Sequence, residues 1–194
     1  MKEIVVASTN EGKIKEIRAM LNEIGIDVKS IKDVFDEEIE IEENGQTFKD
    51  NALIKAQTIS NLIHKPTLAD DSGLEVKAMN GAPGIYSARF MGHDTSYDIK
   101  NQAIIDAVQG KEREARFVCA MELCIPNEEP IFIEEYFNGE INDKIEGENG
   151  FGYDPIFYVP ELGKTSASLT LEEKNQYSHR AKALKKLYQI LKEK

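Results

Sequence analysis

The feature that most constrains this 194-residue chain is its opening, where a short apolar run, a polar turn and an amphipathic segment follow without a break. Glu3 to Ser8, built around Ile4-Val5-Val6-Ala7, reads as a β-strand. From Gly12 to Ile24 the apolar residues Ile14, Ile17, Met20, Leu21 and Ile24 fall on one helical face. The chain therefore opens as strand, tight loop and helix, and its fold must accommodate that unit.

The same reading extends along the chain. A second short strand is expected near Asp27 to Ile31. In the acidic stretch Asp33 to Glu43, Ile39 and Ile41 alternate with Glu38, Glu40 and Glu42, so those acids point the same way. Thr47 with Asp50 three residues on resembles a capping box and opens a helix to about Ile63, which Pro66 stops. Thr67 to Asp70 reads as a short buried strand that ends at Asp70-Asp71-Ser72-Gly73, and Gly81 to Gly84 as a Gly/Pro loop. A helix over Ser96 to Val108 precedes an alternating strand, Glu114 to Ile125, with Ile131 to Phe137 as its antiparallel partner. A Gly-rich loop, Gly147 to Pro155, leads into a strand Ile156 to Val159. The last helix starts at about Ser178 and buries Ala181, Leu184, Leu187 and Leu191. No repeat or low-complexity linker interrupts this order, and the chain reads as a single domain over 1–194.

Lys and Arg number 24 against 35 Asp and Glu, for a formal net charge of −11. Binding to nucleic-acid phosphates rewards clustered cations, so a sequence-independent DNA or RNA clamp is excluded as an expectation, although a local cationic pocket is not. No apolar run approaches the roughly 20 residues that span a bilayer, and the N-terminus has no signal-peptide pattern, so a cytoplasmic protein is expected. Cys119 and Cys124 fit neither a zinc knuckle nor a redox pair and read as small core residues.

Four segments carry residues suited to chemistry. Ser8-Thr9-Asn10-Glu11-Gly12-Lys13 sets hydroxyls, an amide and a lysine at a helix N-terminus, where unpaired N–H groups and the helix dipole favour a phosphate. An ordinary capped turn would look the same, and the spacing is not that of a Walker loop. Glu42, Glu43, Asp70 and Asp71 offer oxygen ligands of the kind Mg²⁺ takes, and the alternative is a solvated acidic edge. Within a strand, adjacent Asp70 and Asp71 face opposite ways, so one can meet a metal or water while the other bonds to the scaffold. Gly150-Phe151-Gly152-Tyr153-Asp154 combines permissive backbone with aromatic faces, suited to a planar base or to a plain turn. Lys174 lies before a helix start at which Ser178-His179-Arg180 sit in the first turn. Cations oppose the dipole there, which an anionic ligand or neighbouring acids would offset.

Taken in order, these segments resemble the Ham1/inosine triphosphate pyrophosphatase family over nearly the whole chain. The matching motifs are Ser8 to Lys13, Glu42 to Phe48 with Asn51-Ala52 and Lys55-Ala56, and Ala69-Asp70-Asp71-Ser72-Gly73-Leu74. Gly84-Ile85-Tyr86-Ser87-Ala88-Arg89, Gly150 to Pro155, Glu173-Lys174-Asn175 and Ser178-His179-Arg180 complete the series. Each motif is weak alone, and their joint order is specific. Ser8 stands where threonine is common in the family, which keeps the hydroxyl, and Ser166 and Ser168 stand where a methionine and an acidic or amide residue are expected.

The resemblance implies an elongated α/β fold with a long mixed central sheet and a cleft between two lobes, usually in a homodimer. It implies Mg²⁺-dependent hydrolysis of the α–β phosphoanhydride of ITP, dITP and XTP, releasing the monophosphate and pyrophosphate and so cleansing the nucleotide pool. By position, Ser8, Thr9, Asn10, Glu11, Gly12 and Lys13 would hold the triphosphate. Glu42 and Asp71 would bind Mg²⁺, Asp71 would accept the proton, and Ser72 would touch substrate. The base would lie against Phe151, Gly152, Tyr153 and Asp154, with Lys174, His179 and Arg180 completing the contacts. The competing expectations are a Maf-like nucleotide pyrophosphatase of other specificity, and a nucleotide-binding protein without hydrolysis.

Overall fold

The computed structural model describes residues 1–37 and 39–193. Glu38, one of the acids in the alternating stretch, lies outside them. Seven strands are hydrogen-bonded in the order β2-β1-β3-β4-β5-β6-β7. They are β1 (Glu3–Val6), β2 (Asp27–Ser30), β3 (Thr67–Val76), β4 (Glu114–Cys124), β5 (Ile131–Ile141), β6 (Phe157–Val159) and β7 (Lys164–Thr165). The helices are α1 (Glu11–Glu23), α2 (Phe48–Ile63), α3 (Tyr97–Ala107), α4 (Leu171–Tyr177) and α5 (His179–Glu193). β1 runs parallel to β2 and β3, whereas β6 is antiparallel to β5 and β7, so the sheet is mixed and the fold is α/β.

The chain divides into two compact units. One comprises Met1–Asp71, Cys119–Glu135 and Arg180–Lys194, and the other Ser72–Val118 and Tyr136–His179. β3, β4 and β5 each contribute residues to both.

In the first unit Ile4 and Val6 pack with α1 residues Ile14, Ile17 and Leu21, with Met121 and Leu123 of β4, and with Leu184 and Leu187 of α5. Val5 and Ala7 face the other way, toward Ala56 and Ile59 of α2 and Cys124 of β4. Both sheet faces are thus covered, which explains why β4 is buried at nearly every position rather than alternately. α2 opens as its sequence predicts: the Thr47 hydroxyl accepts from the Asp50 N–H, and the Asp50 carboxylate accepts from the Thr47 N–H. In the second unit Leu74, Val76, Ile104, Ile105, Phe137, Ile156 and Phe157 form a separate core, with Phe157 between Phe117 and Phe137. Both cysteines are buried and unlinked. No helix of the described residues is long and apolar enough to cross a membrane.

One sequence expectation needs correction and one needs an addition. β3 does not end at Asp70 but runs through Asp71, Ser72 and Gly73 to Val76. Consecutive acids look like a strand terminus, yet here cations from α1, α2 and α5 hold them inside the sheet. Lys174 does precede the last helix, but it also lies within a helix the sequence reading did not identify, the seven-residue α4, opened by a capping box of Thr170 and Glu173. Ser178 separates α4 from α5.

Candidate active site

The turn after β1 is stitched by its own side chains. The Ser8 hydroxyl accepts from the Asn10 N–H, and the Asn10 amide oxygen caps α1 by accepting from the Lys13 N–H. Thr9, Asn10 and Glu11 are exposed, Ser8, Gly12 and Lys13 half-buried, and Glu11 pairs with Lys32. The turn is therefore both a capped turn and an open helix N-terminus.

Lys13 leaves this turn toward β3. Its Nζ lies 2.9 Å from Asp70 Oδ1 and donates to the Asp70 carbonyl oxygen at 3.2 Å. Arg180, at the start of α5, donates from Nε to Asp70 Oδ2 at 2.6 Å and from Nη1 to Glu16 of α1. The Cys119 thiol adds a contact to Asp70 Oδ2 at 3.3 Å. The charge of Arg180 in the α5 first turn is thus offset by buried acids of the protein itself. Burial alone would lower the Lys13 pKa, but the carboxylates of Asp70 and Asp71 more than reverse that and hold the ammonium charged.

Asp71 projects from the opposite face of β3. Its Oδ1 lies 3.5 Å from Lys55 Nζ, which also contacts Glu43 Oε2 at 3.2 Å and the Asp70 carbonyl oxygen at 3.1 Å. Asp71 is 7% exposed, and its Oδ2 has no hydrogen-bond partner among the described residues. Burial raises its pKa, opposed by Lys55 and Lys13, reinforced by Glu43 and opposed again by the Asn51 amide. Asn51 also fixes the acidic segment, accepting from the Gly45 N–H. In that segment Glu43 is half-buried and turned to Lys55, whereas Glu42 is exposed. Among the described residues no three His, Cys, Asp or Glu side chains form a metal cluster. Mg²⁺ is commonly held by one or two carboxylates together with substrate phosphates, and a buried carboxylate with one unengaged oxygen beside a second acid fits that pattern.

The second unit orders the aromatic loop. Asp154 is 3% exposed and takes three donors: the Phe151 N–H at 2.9 Å, Lys174 Nζ at 2.7 Å and the Ser166 hydroxyl at 2.8 Å. A side chain at Gly150 would place its Cβ 2.1 Å from Asp154 Oδ2, and φ there is +73°, so glycine is required. Lys174 Nζ sits 5.2 Å from the centre of the half-buried Phe151 ring. Tyr153 is buried, its hydroxyl donating to the Ser87 carbonyl oxygen at 2.6 Å and its ring meeting Tyr97 edge-on. His179 stacks on Phe117 with ring centres 5.0 Å apart, and Ser72 is half-buried. Ser166, which departs from the family pattern, is fully buried and fixes Asp154, while the Ser168 hydroxyl meets that of Thr165.

The first unit thus assembles Lys13, Asp70, Arg180, Asp71, Lys55 and Glu43, and the second Phe151, Asp154, Lys174 and Ser166. Sequence reasoning assigned no role to Lys55, Glu16 or Ser166. The Lys55-Ala56 step was visible within the α2 pattern, and a lysine on the buried side of that helix was the available signal.

Comparison with known proteins adds the family. A family model described as "Ham1 family" matches residues 4–190. A curated relative from Bacillus licheniformis, named dITP/XTP pyrophosphatase, is 48% identical over 195 residues, covering 98% of both chains. Among solved structures, the Staphylococcus aureus Ham1 protein superposes with a TM-score of 0.88 at 42% identity over 98% of both chains. A HAM1 protein from Coxiella burnetii superposes with a TM-score of 0.89 at 38% identity over the full length of both.

Proposed function

The chain belongs to the Ham1 family, and on that premise we propose that it is a nucleoside triphosphate pyrophosphohydrolase acting on the deaminated purine nucleotides dITP, ITP and XTP. One water is added across the α–β phosphoanhydride, and the monophosphate and pyrophosphate leave. The observation that carries the reading is Asp71, a buried carboxylate with one unengaged oxygen, in the unit where Lys13 and Lys55 converge on the neighbouring peptide.

Each group has a task that follows from its chemistry. The exposed N–H groups that open α1 and the Ser8 to Lys13 turn receive phosphate oxygens. A lysine ammonium has three donors, and Lys13 spends two on Asp70, leaving a third directed by that anchoring for an anion. Asp71 accepts the proton of the attacking water. An aspartate of ordinary acidity is a weak base at neutral pH, and burial makes this one stronger. Lys55 keeps it ionised. Mg²⁺, held by Asp71 together with the Glu42–Glu43 segment, would neutralise phosphate charge and acidify a bound water. Glu43 is the better placed of the two acids, because it shares Lys55 with Asp71.

For the base, the Phe151 ring offers a stacking face, and Asp154 fixes the loop through the Phe151 N–H. Fixed donors meeting a keto oxygen at purine position 6 would reject adenine, whose amino group leaves them unpaired. Lys174, His179 and Arg180 enter this reading through the family resemblance, as do the homodimer and the cytoplasmic setting.

The test is a product assay on the purified protein with dITP, ITP, XTP, ATP and GTP, with and without Mg²⁺. Pyrophosphate from the deaminated nucleotides, scarcely any from ATP or GTP, and dependence on Mg²⁺ are expected. Release of orthophosphate, or binding without turnover, would overturn the proposal.

A further inference from the structure

We propose that the Lys55 ammonium is a built-in competitor of the divalent cation: in the nucleotide-free protein it neutralises Glu43 and Asp71, and it has to withdraw before those two acids can bind Mg²⁺. The inference rests on Glu43 and Asp71 being the metal-bearing pair, as proposed above, and adds how that site is regulated.

Three oxygens of the kind that hard cations take surround Lys55 Nζ. They are Glu43 Oε2 at 3.2 Å, Asp71 Oδ1 at 3.5 Å and the Asp70 carbonyl oxygen at 3.1 Å. The two carboxylates come from different segments, and the ammonium between them offsets their mutual repulsion. A divalent cation would do the same with twice the charge. It cannot join the ammonium there, because like charges that draw on the same two carboxylates repel. The spare Oδ2 of Asp71 offers no way round this, since it belongs to the carboxylate that Lys55 already holds.

Lys55 is suited to leaving. Its contacts with the two carboxylates are longer than the 2.9 Å between Lys13 and Asp70. Lys13 also donates to the Asp70 carbonyl oxygen, so a second ammonium already pushes Lys55 off that atom. A lysine head rides on a flexible four-carbon stem. The Glu43 side chain is 36% exposed against 10% for Asp71, so the way out runs past Glu43.

The acids stay together when the lysine goes. Asn51, one turn before Lys55 on α2, accepts from the Gly45 N–H at 2.9 Å, and its amide also bonds to the Asp71 carboxylate. With its oxygen committed to Gly45, the amide meets Asp71 through its NH₂ end. The acidic segment and β3 are therefore both tied to α2 without Lys55.

The experiment measures binding of Mn²⁺, a spectroscopic substitute for Mg²⁺, to the nucleotide-free protein by electron paramagnetic resonance, at pH 8 to keep both carboxylates ionised. Lys55→Met and Lys55→Gln, with folding checked by circular dichroism, should each bind Mn²⁺ about tenfold or more tightly than wild type, because a positive charge beside the dication is gone. A lysine that only supported the fold would give equal or weaker binding in the variants, and that result would overturn the inference. A second readout needs no variant. In the wild-type chain, saturating Mn²⁺ should raise severalfold the rate at which acetic anhydride labels Lys55, read by mass spectrometry, because the displaced ammonium leaves its buried position. An unchanged or lower rate would equally overturn the inference. Asp71→Asn separates the two readings. If it leaves Mn²⁺ affinity unchanged, the metal is not held here and the underlying assignment fails. If it weakens binding while the Lys55 variants do not tighten it, only the present inference fails.

Discussion

Lys13 and Lys55 donate to one atom, the carbonyl oxygen of Asp70, at 3.2 and 3.1 Å. One comes from α1 and the other from α2, so two helices converge on a single peptide of β3. Two ammonium groups this close repel, and the carboxylates of Asp70, Asp71 and Glu43 offset that repulsion. The arrangement leaves Asp71 with opposed influences on its proton, which makes the balance measurable.

Lys55→Met removes the strongest influence that keeps Asp71 ionised. The raised Asp71 pKa should rise further, so the acidic limb of kcat/KM against pH should move to higher pH. A pH–rate profile of the variant decides this, and an unmoved limb would show that Lys55 does not tune Asp71.

Glu43 and Glu42 should separate in the metal requirement. Glu43→Gln is expected to raise the Mg²⁺ concentration for half-maximal rate by about tenfold or more, in line with the loss of one metal-ligand contact. Glu42→Gln, at an exposed position, should change it less than twofold. Titration of activity with Mg²⁺ for the two variants is the measurement, and the reverse ranking would give the ligand role to Glu42.

Asp154→Asn removes the buried carboxylate that Lys174, Ser166 and the Phe151 N–H share. Removing one member of a buried ion pair costs about 3–5 kcal/mol, so urea denaturation should show a loss of that order. KM for dITP should rise together with it, because the Phe151 N–H loses its charged acceptor.

Glu122 of β4 is 2% exposed, has an Oε2 with no partner among the described residues, and is held up at about 7, chiefly by burial and against the pull of Lys49. A carboxyl raised above its unfolded value of 4.5 stabilises the fold fully at pH values below that value, and this contribution is lost as pH rises through 7. Glu122→Gln should therefore match wild type near pH 4 and exceed it at pH 8, by at most about 3 kcal/mol. Thermal melts across that range check the sign.

The elements with strong local signals were legible in the sequence. The β1–α1 unit and the Thr47–Asp50 cap are specified by neighbours three or four residues apart, so periodicity finds them. The continuation of β3 was not legible, because what keeps Asp70 in a strand arrives from 57 and 110 residues away in Lys13 and Arg180. α4 is too short for a period, although Thr170 and Glu173 carried the capping-box spacing. Among the candidate site residues, motif order singled out Asp71 and Asp154, whereas Ser166 could not be read as a partner of Asp154 because the β6–β7 hairpin brings it there from 12 residues on. Asn101 and Lys100 lie at helical spacing from Ile105 and Ile104, so their burial was recoverable, but the backbone oxygens they hold were not.

The pleat of β3 gives its two aspartates unequal work according to parity alone. Asp70, at an even position, is consumed by Lys13 and Arg180, and Asp71, at an odd one, keeps an oxygen to spare. Deleting one of the three residues 67–69 would exchange the anchored acid for the one with a spare oxygen without altering composition at either aspartate, whereas deleting two of them would restore their sides. On the role proposed for Asp71, the first deletion should abolish activity even if the strand re-forms, so the length of this segment modulo two bears on the chemistry as directly as either side chain does.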